Sequence, residues 1–132
     1  EDKGLYQDLA SSLHSVFVLH RFTWFKKDLI IIDLFSRKKY TVVDPRLKHA
    51  FSKGDVFEGR IFPHGGKWHF AQGFCFHPVE MKSFITSEIK KIRFQDRSRH
   101  MKLILQLAQM KLKHHRFAHI DVKHIYEFNS KF

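Results

Sequence analysis

Cysteine is almost absent from the sequence, which has only Cys75 among its 132 residues. A single cysteine excludes an internal disulfide and is typical of proteins from a reducing compartment. Long apolar runs are missing too. Leu29–Ile32, for example, is far shorter than the roughly 20 residues that a membrane-spanning helix needs. We therefore expect a cytoplasmic protein without a membrane span.

The sequence also lacks the short motifs that mark common enzyme classes. It has no phosphate-binding loop, no dinucleotide fingerprint and no nucleophile elbow. No compact zinc spacing such as C-x₂-C or H-E-x-x-H occurs, so we predict no metal site, no cofactor and no catalytic activity. His69, Cys75 and His77 fall on one side of a predicted strand, so a metal bound there stays an open alternative.

Acidic residues are few, with 13 Asp and Glu against 24 Lys and Arg, a net charge of +11 and a pI near 10.0. The segment 81–116 has ten basic and two acidic residues, so it supplies +8 (10 − 2) of this charge. Such a surface attracts polyanions and speeds their encounter. The same charges would also suit a solvated helix face that keeps an apolar-rich protein in solution.

Residues 15–77 alternate apolar and polar side chains and are rich in β-branched and aromatic residues, a pattern typical of strands. Short antiparallel strands leave exposed edges, and closing the sheet into a small barrel removes them. Gly59 and Gly73 lie inside strand patterns, which favours the bends that such a barrel needs. The predicted strands are 15–25, 28–35, 39–44, 55–62 and 67–77, with a connector at 45–53 and a hairpin turn at 63–66.

The predicted fold class is α+β. It consists of a five-stranded antiparallel small barrel of the SH3 or OB type, flanked by an N-terminal helix at 4–14 and two to three C-terminal helices. The barrel occupies 15–78 and the helical part 79–128 of a single domain, 1–132.

Apolar residues at helical spacing predict two helices after Pro78, and a short third turn is expected within 119–128. Asp96 or Ser98 is expected to cap the second helix. The apolar stripe of the first helix consists of Val79, Phe84, Ile85, Ile89 and Ile92, and that of the second of Met101, Ile104, Leu105, Ala108 and Leu112.

The barrel segment carries a pattern of glycines and apolar residues. It runs through Asp33-Leu34-Phe35, Tyr40-Thr41-Val42-Val43, Gly54-Asp55-Val56-Phe57-Glu58-Gly59-Arg60-Ile61 and Gly73-Phe74-Cys75-Phe76-His77-Pro78. Over residues 15–78 this pattern resembles an uncharacterised bacterial family of small β-barrel domains. The resemblance implies a barrel and supplies no catalytic residues.

Two functions of different kinds fit these observations. The first is a non-catalytic module that binds nucleic acid or another polyanion largely independently of sequence. The alternative is an interaction or accessory domain that binds an acidic protein through its apolar helical stripes. The predicted phosphate contacts are Arg93, Arg97, Arg99, Lys102, Lys90 and Lys91, and the predicted stacking edge is Trp68 with Lys67 and Arg60.

Overall fold

A computed structural model of the protein describes residues 11–23, 28–43, 50–71 and 73–128. Within these ranges the chain forms strands first and helices afterwards, as the change of period predicts. The strands are β1 (Leu13–Phe22), β2 (Asp28–Asp33), β3 (Lys39–Val43), β4 (Val56–His64), β5 (Lys67–Phe70) and β6 (Cys75–Phe76). A 3₁₀ turn (Val79–Met81) is followed by the helices α1 (Lys82–Ile92), α2 (Arg97–Arg116) and α3 (Val122–Ile125).

The start of β1 corrects the predicted N-terminal helix. Leu13 and His14 were expected to end a helix at 4–14, but they form the first residues of β1 and pair with β4. A local apolar spacing does not reveal such a distant partner. Several predicted elements lie partly outside the described residues, namely 4–10 of the helix, 24–25 of the first strand, Asp44 of the third, 45–49 of the connector and Gln72 of the last strand.

The strands close into a five-stranded barrel in the order β1-β2-β3-β5-β4, with β4 pairing back to β1. Its neighbouring strands are antiparallel except β3 and β5, which run parallel and pair at Val42 and Trp68. The predicted barrel is therefore confirmed, whereas the prediction of purely antiparallel strands is wrong. Strand direction cannot alternate all the way round a ring with an odd number of strands, so closure requires a parallel pair.

The last predicted strand, 67–77, is broken into β5 and β6, which both pair with β4. Ile61 pairs with Phe70 and Phe57 pairs with Phe76, so four steps along β4 correspond to six along its partner. The two extra residues on the partner side form a bulge that contains Gly73, and the φ of Gly73, 93°, favours glycine. The expectation that Gly73 marks a bend is confirmed.

Aromatic rings fill the barrel interior, as the spacing of aromatics in the sequence predicts. The centroid of the buried Phe51 ring lies 5.1–5.7 Å from the ring centroids of Phe57, Phe70, Phe74 and Phe76. Gly59 lies against this cluster, where a Cβ would make van der Waals contact with Cδ1 of Phe74 at 3.4 Å. Among the described residues, the barrel interior is therefore packed with aromatic side chains.

The helices pack against the outside of the barrel and form a second apolar core. Val16 of β1 and Val56 of β4 belong to this core together with residues of α1 and α2. α3 confirms the predicted third turn and buries Ile125 and the adjacent Tyr126. In the described ranges, no helix is both long and apolar enough to cross a membrane.

The buried face of α2 differs from the predicted one. Leu105 and Leu112, expected inside, are 56% and 70% exposed, and Val79 before α1 is exposed as well. Apolar residues occur on two faces of α2, and periodicity alone does not tell which face the barrel covers. The predicted cap is confirmed, because the Asp96 side chain accepts a hydrogen bond from the Arg99 amide. The buried residues are Ile85, Ile89 and Ile92 of α1 and Leu103, Ile104, Leu107 and Met110 of α2.

Phe57 provides a test of the barrel core, because it is fully buried among aromatic rings. We expect Phe57→Ala to lower the free energy of unfolding by about 3–5 kcal/mol through lost burial and a residual cavity. Phe94→Ala is the matched control, because Phe94 is 98% exposed. Urea denaturation measures both variants. Equal effects of the two substitutions would contradict the assigned core.

Candidate nucleic-acid interface

The parallel seam between β3 and β5 borders a surface cavity of about 370 Å³. Lys39 and Tyr40 of β3 line one side of this cavity, and Lys67 and Trp68 of β5 line the other. The Tyr40 and Trp68 rings meet edge to face, with 5.0 Å between their centroids. Cations and aromatic rings are therefore interleaved along the seam.

A second cavity, of about 380 Å³, lies where the turn between β2 and β3 faces the turn between α1 and α2. Lys38 lines its barrel side, and Arg93 and Arg97 line its helical side. Tyr40 lines both cavities, so they adjoin on one surface. We call this surface the Tyr40 groove and define it by Lys38, Lys39, Tyr40, Lys67, Trp68, Arg93 and Arg97.

The Asp33 carboxylate fixes the turn that presents Lys38. Its buried Oδ1 accepts hydrogen bonds from the Ser15 hydroxyl at 2.7 Å and from the Phe35 amide at 2.9 Å. The Asp33 amide donates to the Lys38 carbonyl at 2.9 Å, and the Arg37 amide donates to the Asp33 carbonyl at 2.7 Å. Asp33 therefore uses its charge to hold the turn, while Lys38 stays exposed beside it.

Arg93 and Arg97 fasten the helices to the barrel as well as line the groove. Arg93 donates a guanidinium hydrogen bond to the Leu34 carbonyl at 3.1 Å, and Arg97 donates one to the His14 carbonyl. A guanidinium carries several N–H donors, so an arginine that uses one of them on a carbonyl retains others for an anion. These two hydrogen bonds hold the guanidinium groups of Arg93 and Arg97 at the wall of the groove.

Five of the nine predicted site residues lie outside the groove as the described residues define it. Lys90 and Lys82 both line a depression on α1, and Lys91 forms an ion pair with Glu88 at 2.6 Å. Arg60 is exposed on β4, Lys102 is exposed on α2, and Arg99 is half-buried in the first turn of α2. The groove brings together Arg93, Arg97, Lys67 and Trp68.

Sequence reasoning missed Lys38, Lys39 and Tyr40, which supply the middle of the groove. The available signal was the run Arg37-Lys38-Lys39-Tyr40, in which three cations precede an aromatic residue. Lys39 and Tyr40 were predicted as the start of a strand, and the sequence does not show that β5, far away in the chain, is their neighbour across the seam.

The Tyr40 hydroxyl stays protonated at neutral pH. Burial raises its pKa and the nearby Asp33 charge raises it further, whereas a hydrogen bond with Ser36 opposes the shift. A neutral phenol combines a ring for stacking with a hydroxyl that donates to a phosphate or base oxygen.

Phe94 adds a fully exposed ring next to the groove. It lies in the turn between α1 and α2, directly after Arg93, and is 98% exposed. An exposed ring beside cations is the arrangement on which unstacked bases stack. Sequence reasoning did not single out this residue, although the segment Arg93-Phe94 had the required pattern.

The predicted histidine and cysteine group is only partly brought together. His69 lies apart, since its Nε2 is 3.2 Å from the His64 carbonyl and the bulge interrupts the strand that was expected to be continuous. Cys75 and His77 lie instead beside Glu58 of β4. Burial raises the pKa of Cys75 to about 11, with the Glu58 charge adding to the shift, so the thiol stays protonated at neutral pH.

Comparison with known proteins identifies the family. The chain belongs to the family of unknown function DUF7986, whose model matches residues 1–111. This match confirms the expected uncharacterised domain family, and it spans every residue of the Tyr40 groove. Searches of the curated proteins and of the solved structures gave no match.

Asp33 is the residue on which the groove geometry depends most. We expect Asp33→Ala to lower the free energy of unfolding by about 1–3 kcal/mol, because the Ser15 hydroxyl and the Phe35 amide lose their buried acceptor. Asp28→Ala is the control, since Asp28 is half-buried and also borders the groove. Urea denaturation of both variants measures the difference, and an Asp33 variant as stable as the Asp28 variant would contradict this role.

Proposed function

Since membership of a family of unknown function carries no activity with it, we propose from the groove itself that the protein is a non-catalytic module that binds single-stranded nucleic acid. The Tyr40 groove carries this proposal, because it combines cations and aromatic rings on one concave surface. Proteins that bind single strands without sequence preference use cations for the backbone and rings for the bases. The cations are Lys38, Lys39, Lys67, Arg93 and Arg97, and the rings are Tyr40 and Trp68.

We further infer that the barrel is of the OB type. Five strands in which β3 neighbours β5 support this assignment. OB folds bind oligonucleotides on the face formed by the second and third strands and through the loop between the fourth and fifth. The groove occupies β3 and reaches Gly66 in the turn between β4 and β5, which is the corresponding position.

Single strands fit this surface better than a duplex does. Tyr40 and Trp68 are half-buried and line a concavity, which suits an unstacked base of a single strand. The bases of a duplex are stacked on one another, so a duplex would use the cations alone. We therefore expect a preference for single-stranded RNA or DNA over duplex of equal length.

The salt dependence of binding tests the location of the site. We expect the double substitution Lys38→Gln and Lys67→Gln to reduce the slope of log affinity against log salt by about 1.4, since each contact with a single strand contributes about 0.7. Fluorescence anisotropy with labelled single-stranded RNA and DNA, from about 50 to 300 mM salt, measures this slope. These lysines are better probes than the arginines, whose loss would also remove hydrogen bonds between the helical part and the barrel.

The matched control changes the net charge equally at another surface. Lys82→Gln with Lys90→Gln removes the same charge from the depression on α1, outside the groove. We expect this variant to keep the wild-type slope within about 0.3. If both double variants showed the same salt slope, binding would depend on the overall charge of the protein. That result would contradict the proposal that the groove is the binding site.

Phe94 tests base stacking independently of charge. We expect Phe94→Ala to weaken single-strand binding by about 1–3 kcal/mol, the typical contribution of one stacked base, while stability stays unchanged. Leu112→Ala is the control, because Leu112 is also apolar and largely exposed but lies on the outer face of α2. Anisotropy at constant salt compares the two variants. A Phe94 variant that binds like the wild type would exclude stacking on this ring.

A second candidate function rests on the outer face of α2. Leu105 and Leu112 are exposed and lie two turns apart on that face, with Lys102 and Arg116 beside them. An apolar stripe flanked by cations suits an acidic amphipathic helix of a partner protein. Absence of nucleic-acid binding at the lowest salt would favour this candidate over the first.

A further inference from the structure

A compact group of potential metal ligands lies on the outer face of the barrel, away from the Tyr40 groove. Glu58 and Cys75 are direct partners in the pairing of β4 with β6, so their side chains leave the sheet on the same face. His77 follows two positions later, and its amide continues the pairing by donating to the Val56 carbonyl at 2.9 Å. One potential ligand atom from each of Glu58, Cys75 and His77 lies within 4.8 Å of the others.

In two of these side chains, one of the two polar atoms already has a hydrogen-bond partner. His77 Nδ1 lies 2.8 Å from the Tyr126 hydroxyl, and one Glu58 oxygen, Oε2, lies 2.6 Å from His14 Nε2. Ligands of protein-bound metals are oriented by hydrogen bonds of this kind, made through the atom that does not bind the metal. Tyr126 and His14 therefore occupy the positions of supporting residues.

The remaining atoms of the same side chains are buried and unpaired. Neither His77 Nε2 nor Glu58 Oε1 has a hydrogen-bond partner among the described residues, although both are removed from solvent. An unpaired buried polar atom is destabilising, and a bound ion would relieve that cost by supplying a partner. Two such atoms in one group, beside a cysteine sulfur, point to a common ligand.

The local charges suit a divalent cation. A thiolate at Cys75 and the carboxylate of Glu58 would together balance two positive charges, while Lys111 and His14 are the basic groups that face the group. Burial lowers the pKa of His77 to about 4, so its imidazole is neutral at neutral pH, as a metal ligand must be. In the absence of a cation the Cys75 thiol keeps its proton, because burial raises its pKa to about 11.

We propose that Glu58 Oε1, Cys75 Sγ and His77 Nε2 form a site for a thiolate-binding divalent metal ion, with Zn²⁺ as the best match. Sulfur, imidazole nitrogen and carboxylate oxygen are the three donor types that zinc takes in proteins. Tetrahedral zinc needs ligand atoms roughly 3.5 Å apart, so side-chain adjustments from the present separations, which are within 4.8 Å, would complete the site. A water molecule takes the fourth position.

Binding at this site displaces one proton and joins three parts of the chain. The metal forms a bond to Cys75 Sγ, and the thiol proton leaves to solvent. β4 and β6 are then linked through the ion, and the Tyr126 hydroxyl connects His77 to the segment after α3.

Cobalt spectroscopy tests the proposal on the full chain. Co²⁺ bound to a thiolate gives a charge-transfer absorption in the near ultraviolet, and Cys75 is the only cysteine, so this signal reports one position despite the 11 histidines. We expect one equivalent of Co²⁺ to produce the band, Zn²⁺ to abolish it, and Cys75→Ser to remove it. His69→Gln is the control and should leave the band and the affinity unchanged.

Two further variants separate ligands from supporting residues. Tyr126→Phe should keep the band but weaken Co²⁺ binding by about 10–100-fold, because Tyr126 orients His77 without touching the metal. Glu58→Gln should weaken binding and shift the visible absorption that reports coordination geometry. No charge-transfer band in the folded wild-type protein, or a band that survives Cys75→Ser, would overturn the proposal.

Discussion

The closure of the barrel by an odd number of strands is the constraint on which the rest of the structure depends. Because directions cannot alternate around five strands, β3 and β5 must run side by side in the same direction. That seam places Tyr40 against Trp68 and Lys39 beside Lys67, residues that are far apart in sequence. The part of the groove at the seam therefore follows from the topology of the barrel.

The helical part depends on the same barrel, which it covers on another side. Val16 and Val56 give the helices an apolar surface, and hydrogen bonds from Arg93 and Arg97 to barrel carbonyls fix the turn between α1 and α2. Each of these two arginines both bonds the helical part to the barrel and lines the groove. The two arginines therefore use part of their hydrogen-bonding capacity within the protein, whereas Lys38, Lys39 and Lys67 are exposed.

Much of the fold was predictable because its signals are local. Period-two alternation located the strands, Gly73 marked a bend, and Asp96 capped α2 as expected. The features that escaped prediction depend on contacts between distant segments: the parallel seam, the buried face of α2, and the meeting of Glu58 with Cys75 and His77. The candidate groove combines predicted and unpredicted residues. Arg93, Arg97 and Lys67 were among the predicted contacts, whereas Lys38 before β3 and Lys39 at its start were not.

The most direct test is to map the backbone amides that respond to a short oligonucleotide. In a heteronuclear NMR titration with a single strand of about eight nucleotides, we expect shifts at 38–41, 67–68 and 93–97. The amide resonances of residues 105–112 in α2, which do not line the groove, should not shift. Shifts centred on α2, or no shifts at low salt, would contradict the proposal that the Tyr40 groove binds nucleic acid.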